Sequence, residues 1–363
     1  MSGSTITSIL FVELLGGIGD LVLALPAIHA LARTHAPARV SVVTFPPAGR
    51  LLVHDPWVDE CLELPRGRAE DVCTAVRMLR ERRQWDIVAC DSMYGGLERA
   101  VAGWGRVATV TNLWRDPPVD ELIDVRFLHL LNRDGLVDRR FLRLPPRIAL
   151  TPQERDSGRE RLERLLGGTR PRILFIPDAG MVIKRWPVAR WRALAARLDA
   201  ELGAAVAVVA GDDSELTTAI VREGCGVALP RLELRELAAV AAAADVCVGP
   251  DTGPVRIAAA VGTPTVALYG PTTAARFGLR ARHVNLDSPL PCSERKPGNM
   301  TEQSCWYSGT CVFPDRRNCL EDISVEVVFD AVRASTREVG GHPRTPGPGS
   351  ARSRDTRPPS VRR

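Results

Sequence analysis

Two patterns of hydrophobic and polar positions recur along this chain: short uninterrupted apolar runs of strand length, and longer stretches whose apolar residues return every three or four positions. The first pair is ILFVELLGGIGDLVLALPAIHALA. Residues 9–15 read as a buried strand, Gly16, Gly17 and Gly19 as a glycine turn, and the following residues as a helix with Leu21, Leu25, Ile28 and Leu31 on one face. Asp20 falls at the tip of the turn. About 160 residues later, RILFIPDAGMVIKRWPVARWRALAARL repeats the plan, with a strand at 173–177, a loop holding Lys184 and Arg185, and a helix opened by Pro187 at a first-turn position. A third segment, DTGPVRIAAAVGTPTVALYGP at 251–271, runs a ligand-facing loop, a small-residue helix and a buried strand together. Asp251, Thr252 and Gly253 stand where helix N-caps stand. The N–H groups after them would receive a phosphate at the positive end of the helix dipole, with Arg256 projecting one turn in. Two strand–loop–helix starts with polar loops predict an α/β protein of two Rossmann-like, doubly wound domains facing across a cleft.

Between these segments the same reading supplies scaffold. ARVSVVTF, ECLEL, DIVACDS and GRVATVTN are strands, and RAEDVCTAVRMLRERRQW is a helix whose Arg77, Arg80, Arg82 and Arg83 form a solvated face. RLPPRIALTP makes the linker, which sets an N-terminal domain at 1–148 and a C-terminal domain at 149–337. Beyond it, AAVAVVAG is a strand and Asp212 and Asp213 start a helix.

Composition is ordinary for a soluble globular protein: 363 residues, 45% hydrophobic and 25% charged. The net charge of +5 sits at the C-terminus, where residues 340–363 hold six Arg and one Asp, leaving 42 basic and 42 acidic residues elsewhere. A balanced body gives no support to nucleic-acid binding. Residues 338–363 have little apolar surface to bury and are expected to be a disordered basic tail, with at most peripheral membrane contact. The first apolar stretch is broken by Glu13, the glycines and Asp20, so neither a signal peptide nor a membrane span is expected, and the protein is expected to be cytoplasmic.

Reducing conditions there make thiols or metal ligands of the nine cysteines. Cys61, Cys73, Cys90, Cys225 and Cys247 fall in strand or helix patterns and read as small core residues. Cys292, Cys305, Cys311 and Cys319 fall in an aperiodic loop with no core of its own, where four thiolates could bind a structural zinc or iron and supply order. No CxxC pair is present, so unpaired thiols are the competing reading.

Taken together, GGIGDLVLALPAIHAL, KRWPVARWRALAARL and GPDTGPVRIAAAVGTPTVALYGPT resemble glycosyltransferase family 9, the ADP-heptose heptosyltransferases and their relatives, over residues 9 to about 332. The resemblance implies a GT-B architecture, an inverting mechanism, and a nucleotide-sugar donor bound mainly by the C-terminal domain. Glycosyl transfer needs a carboxylate to take the acceptor hydroxyl proton, and positive charge or N–H dipoles for the departing diphosphate. Asp20 matches the family's catalytic Asp, although the same residue type serves equally well to cap the helix. Lys184 matches a KxWP-like motif and fits the diphosphate, with Arg185 the adjacent candidate. Relatives commonly carry a His where this chain has Arg256, within a (D/N)(S/T)GxxH pattern, which leaves the donor sugar open. The acceptor is expected to be a glycan or a small molecule, and no cofactor is required for the chemistry. An epimerase or a non-catalytic binding protein on the same architecture is the alternative. A nicotinamide oxidoreductase fits poorly, because the turn is GGxG and no acidic residue ends the second strand.

Overall fold

The computed structural model describes residues 5–341, apart from 93, 116, 117, 119, 169, 170, 297, 316 and 317. Its N-terminal unit contains β1 (Ser8–Val12), α1 (Ile18–Thr34), β2 (Arg39–Thr44), β3 (Glu60–Glu63), α2 (Ala69–Arg82), β4 (Trp85–Cys90), α3 (Leu97–Val101), β5 (Gly105–Val110) and α4 (Ile123–Arg133). The C-terminal unit opens with α5 (Pro152–Leu166), β6 (Arg172–Phe175), α6 (Val188–Leu202), β7 (Ala205–Val209), α7 (Ser214–Val221), β8 (Val227–Leu229) and α8 (Leu234–Ala243). It continues through β9 (Val246–Pro250), α9 (Gly253–Ala260), β10 (Thr265–Tyr269), α10 (Ala274–Phe277), β11 (Val284–Asp287), α11 (Ser304–Ser308) and α12 (Val325–Gly341). The disordered tail expected at 338–363 lies outside the described residues beyond Gly341.

Both sheets are parallel, with strand orders β3-β2-β1-β4-β5 and β11-β10-β9-β6-β7-β8. Each winds outward from its first strand, then returns to that strand's other side, at β4 in one unit and β9 in the other. The reversal leaves a crevice at the C-terminal ends of the central strands, which is where ligands bind in doubly wound sheets. Central strands must be covered on both faces, so they read as unbroken apolar runs. Ile9, Leu10, Phe11 and Val12 are accordingly inaccessible to solvent. The first strand ends at Val12 and not at residue 15, because the Glu13 carboxylate accepts the Leu15 N–H at 3.0 Å and the chain turns away.

Helix α1 departs from its expected one-sided stripe. All its residues from 21 to 32 are buried, since it is packed against its own sheet, against α4, and against α9 of the second unit. A helix apolar all round belongs inside a structure, and α1 is the interior wall between the two units. One core runs across that wall, from Ile9 and Phe11 in the first sheet to Ala207 and Ala267 in the second. The outer faces have their own cores, under α2 and α3 in the first unit and under α6 and α12 in the second.

Polar ties hold the two units in register. The Arg280 Nε donates to Asp124 Oδ2 at 2.6 Å and its Nη2 to the Leu144 carbonyl at 3.2 Å. Arg235 donates to the carbonyls of Leu51 at 3.3 Å and Ala149 at 2.9 Å. The connecting segment lies along α9, with the Ile148 N–H on the Ala260 carbonyl at 3.1 Å, before Thr151 and Glu154 cap α5 reciprocally. No helix among the described residues is long and apolar enough to cross a membrane.

Candidate active site

The β1–α1 turn brings its carboxylate to the crevice through local geometry. Gly16 sits at φ +100°, a region side chains disfavour, and Gly17 is the N-cap of α1. Asp20, three residues on, accepts the Gly17 N–H at 3.0 Å. The carboxylate therefore does part of a capping box's work, as the alternative reading of this residue required, and it lines the cleft as well.

The second unit meets this turn head to head. A Cβ on Gly253 would lie 2.9 Å from the Ile18 Cβ and 3.0 Å from the Gly19 nitrogen, so the first residue of α9 has to be glycine for the N-termini of α1 and α9 to abut. Asp251, at the end of β9, is buried and fully engaged: the Thr272 hydroxyl donates to Oδ2 at 2.8 Å, Arg256 Nη2 lies 2.5 Å from Oδ1, and Lys184 Nζ lies 3.5 Å from Oδ2. Arg256 also donates to the Phe277 carbonyl at 2.6 Å. Lys184 reaches in from the turn after β6, donates to the Asp251 carbonyl at 3.2 Å, and sits 5.1 Å from the centre of the Trp306 ring. Thr252 caps α9 with its backbone only. Its buried hydroxyl has no hydrogen-bond partner among the described residues, although it lines the cleft. With Pro254 in the first turn, the amides that this helix end presents are those of Gly253 and Val255.

These groups border a single cleft of about 280 Å³ between the units. Its wall brings together Gly19, Asp20, Lys184, Asp251–Gly253 and Arg256. Burial raises the Asp20 carboxyl above its usual range, against the opposing pull of the Gly17 N–H, Arg256 and Lys184. Burial also disfavours the Asp251 anion, but Arg256 and Lys184 beside it win and hold its carboxyl below the usual range. One carboxylate in the cleft is thus a ready proton acceptor and the other a fixed counter-ion.

Arg185 parts from its neighbour Lys184. It is pinned between Asp178 at 2.8 Å and Asp213 at 2.7 Å, where it joins the loops after β6 and β7 and is not part of the cleft wall. Conversely, Trp306 and Met300 line the cleft, and the sequence reading had singled out neither. Both come from the cysteine-containing segment, whose aperiodic composition gave no local signal.

The metal expectation falls on that segment. Among the described residues, no group of three or more His, Cys, Asp or Glu side chains is placed to hold a metal ion, and Cys292, Cys305, Cys311 and Cys319 are free thiols. Apolar anchors order the C-terminal end of this segment. Leu320 and Ile323 insert into the core beside Trp186 and Trp191, and the Trp186 indole donates to the Ile323 carbonyl at 3.0 Å. Burial pushes the Cys319 thiol up to about 11, next to Gly270 and Arg295. Of the cysteines assigned to the core, Cys73, Cys90 and Cys247 are buried, and Cys61 and Cys225 are half-buried.

Known proteins resemble this chain in sequence and in fold. Residues 125–304 match the profile of glycosyltransferase family 9 (heptosyltransferase). Lipopolysaccharide heptosyltransferase 1 of Pseudomonas aeruginosa is 37% identical over 145 residues, an alignment that spans 39% of this chain and 39% of that protein. Among solved structures, a family 9 glycosyl transferase from Veillonella parvula superimposes with a TM-score of 0.75 at 18% identity, covering 93% of this chain and 99% of that one. The E. coli heptosyltransferase WaaC with ADP gives 0.64 at 17% identity, covering 91% and 100%. E. coli ADP-heptose lps heptosyltransferase II gives 0.65 at 19%, covering 92% and 100%. At those identities the structures speak for the fold, a GT-B pair of parallel-sheet units, and the sequence matches liken residues 125–304 to glycosyltransferase family 9.

Proposed function

We propose that this protein is an inverting glycosyltransferase that moves a heptose from ADP-heptose to a hydroxyl of a glycan or small-molecule acceptor, with residues 149–337 holding the donor and 1–148 presenting the acceptor. The observation that carries the reading is the meeting of a carboxyl of raised basicity, Asp20, with Lys184 and the α9 N-terminus in one cleft. ADP, and an ADP-heptose analogue, are bound by the E. coli WaaC structures that share this fold, and lipopolysaccharide is in the name of the Pseudomonas relative.

The chemistry follows from placement. The acceptor hydroxyl attacks the anomeric carbon while its proton passes to the Asp20 carboxylate, and the bond from that carbon to the diphosphate oxygen breaks on the opposite face. The charge that develops on the leaving diphosphate meets Lys184, the Thr252 hydroxyl and the amides of Gly253 and Val255. Lys184 is held to Asp251 by a 3.5 Å carboxylate contact and a 3.2 Å hydrogen bond to its carbonyl, and its ammonium, a flexible point charge, can exchange these for the diphosphate. Arg256 is committed to Asp251 and the Phe277 carbonyl, so its role is to fix the loop the diphosphate rests on.

A panel of ADP- and UDP-sugars tests the reading through the melting temperature, since a ligand that binds only the folded state stabilises it with the logarithm of its concentration over Kd. ADP-heptose is expected to raise it most, and to yield free ADP faster when an acceptor is present. A UDP-sugar that stabilises the protein while ADP-heptose does not would overturn the donor assignment.

A further inference from the structure

Two fully buried carboxyls stand outside this chemistry. Glu13 follows β1 and Asp91 follows β4, strands that pair with Val12 opposite Cys90, so the two residues leave the sheet side by side at its switch point. The Asp91 N–H donates to the Val12 carbonyl at 3.2 Å. Glu13 accepts the Thr44 hydroxyl at 2.7 Å and the Leu15 N–H at 3.0 Å. Asp91 accepts the Ser92 hydroxyl at 2.7 Å, and its Oδ2 has no partner among the described residues. The glycine turn is therefore clamped at two points by carboxylates, at the Leu15 amide by Glu13 and at the Gly17 amide by Asp20.

The groups that face this cluster are mostly acidic or neutral on the first unit's side. Thr44 from β2, Asp20 from α1 and the turn amides act on Glu13, while Glu13, Ser92 and Asp20 act on Asp91, and the Cys90 thiol lies alongside. From the second unit, Arg256, Lys184 and Asp251 act on Asp20. Burial lifts Glu13 to about 7 and Asp91 well above the carboxylate range; Asp20 lifts Glu13 further, and Glu13 and Asp20 lift Asp91. Two buried carboxyls this close cannot both ionise at neutral pH without large cost.

We propose that Glu13 and Asp91 are positioning residues for Asp20: a buried pair sharing one proton that clamps the glycine turn and places negative charge behind Asp20, strengthening it as a proton acceptor. The proposal rests on the reading of Asp20 as the base, and a measurement on the free protein keeps the two separable. In full-length protein with 13C-labelled carboxyls, the Asp20 resonance is identified by its loss in Asp20→Asn and titrated by NMR. The double substitution Glu13→Gln, Asp91→Asn removes the pair's single charge and is expected to lower the Asp20 midpoint by roughly one pH unit, whereas either substitution alone leaves one carboxyl to carry that charge and should move the midpoint less. The acid limb of kcat/KM with ADP-heptose should move down by the same amount, with a lower plateau. Asp91→Asn leaves the Leu15 contact intact, and if the double variant does not fold the test passes to the Glu13 resonance, whose midpoint should fall in Asp91→Asn if the two carboxyls share a proton and stay put if they do not. An Asp20 midpoint that stays put in the folded double variant overturns the proposal, whatever happens to the rate, since a merely structural role would not move it. A shifted midpoint in a protein inactive on ADP-heptose upholds the pair's role and sinks only the donor assignment.

Discussion

The two switch points of this molecule share a topology and differ in electrostatics. In the first sheet, the strand ends present Glu13, Asp91 and, through the turn, Asp20, and burial leaves all three carboxyls proton-hungry. In the second, Asp251 stands at the matching place, yet Arg256 and Lys184 compensate it and its carboxyl is held ionised. One fold plan thus yields a side that takes protons and a side that fixes charge, which is the division of labour that glycosyl transfer from a diphosphate requires. Doubly wound sheets supply the crevice; the residue one step past the strand decides what the crevice does.

The largest effect should come from the proton-taking side. Asp20→Asn keeps the shape of the carboxyl and removes its basicity, so kcat should fall by about two to four orders of magnitude while the Kd for ADP stays within a few-fold. Because Asp20 also holds the Gly17 N–H, a fall in melting temperature with specific activity unchanged would make it a cap and erase the contrast between the two sides.

On the charge-fixing side the expected loss is in stability. Arg256 is buried against Asp251, and Arg256→Met would leave that carboxylate with Thr272 and a loosely placed Lys184. Breaking a buried pair from one side costs about 3–5 kcal/mol, readable as a lower urea midpoint, and Asp251→Asn in the same chain should recover part of it. A single mutant as stable as the parent would mean that the second switch point is no more compensated than the first.

Stability against pH sharpens the comparison further. Glu13 titrates near 7 in the folded chain against an ordinary 4.5, so between those values the folded state holds a proton that the unfolded state has lost. Its contribution is fully favourable below about 4.5 and declines as pH rises to about 7, by up to about 3 kcal/mol. Glu13→Gln should abolish that decline, so its stability relative to the parent should rise from pH 5 to pH 8. A difference that is flat with pH would show that Glu13 is not held protonated.

What the sequence made legible was whatever is local. The glycine turn with Asp20, the DTG loop and Lys184 each lie within one strand–loop–helix unit, and period and turn chemistry report on such units directly. The contacts made across the fold were not legible. Glu13 showed only as a break in an apolar run and Asp91 only as the end of one, since their adjacency depends on β4 pairing with β1. Trp306 and Met300 reach the cleft from a segment without periodicity, held by Leu320 and Ile323 far along the chain. Lys184 and Arg185 are sequence neighbours of like charge, and only the carboxylates around each, Asp251 for one and Asp178 and Asp213 for the other, separate a cleft residue from a loop tie.

The smallest expected effect concerns that separation. Lys184 is the cation of the second switch point less tied to its partners, with an Asp251 carboxylate contact at 3.5 Å, a 3.2 Å hydrogen bond to the Asp251 carbonyl and a ring contact with Trp306, so it is the one to meet a diphosphate. Lys184→Met keeps the apolar stem against Trp306 and deletes the charge. The mutant should bind ADP about tenfold more weakly, the scale of one charge-assisted hydrogen bond of roughly 1.5 kcal/mol, and bind adenosine almost unchanged, because only ADP carries the phosphates. Raising the salt concentration should narrow the gap between the mutant and the parent for ADP alone. Equal losses for ADP and adenosine would place Lys184 with Arg185 as a support of the loop, and the charge that meets the leaving group would then have to be sought in the α9 amides alone.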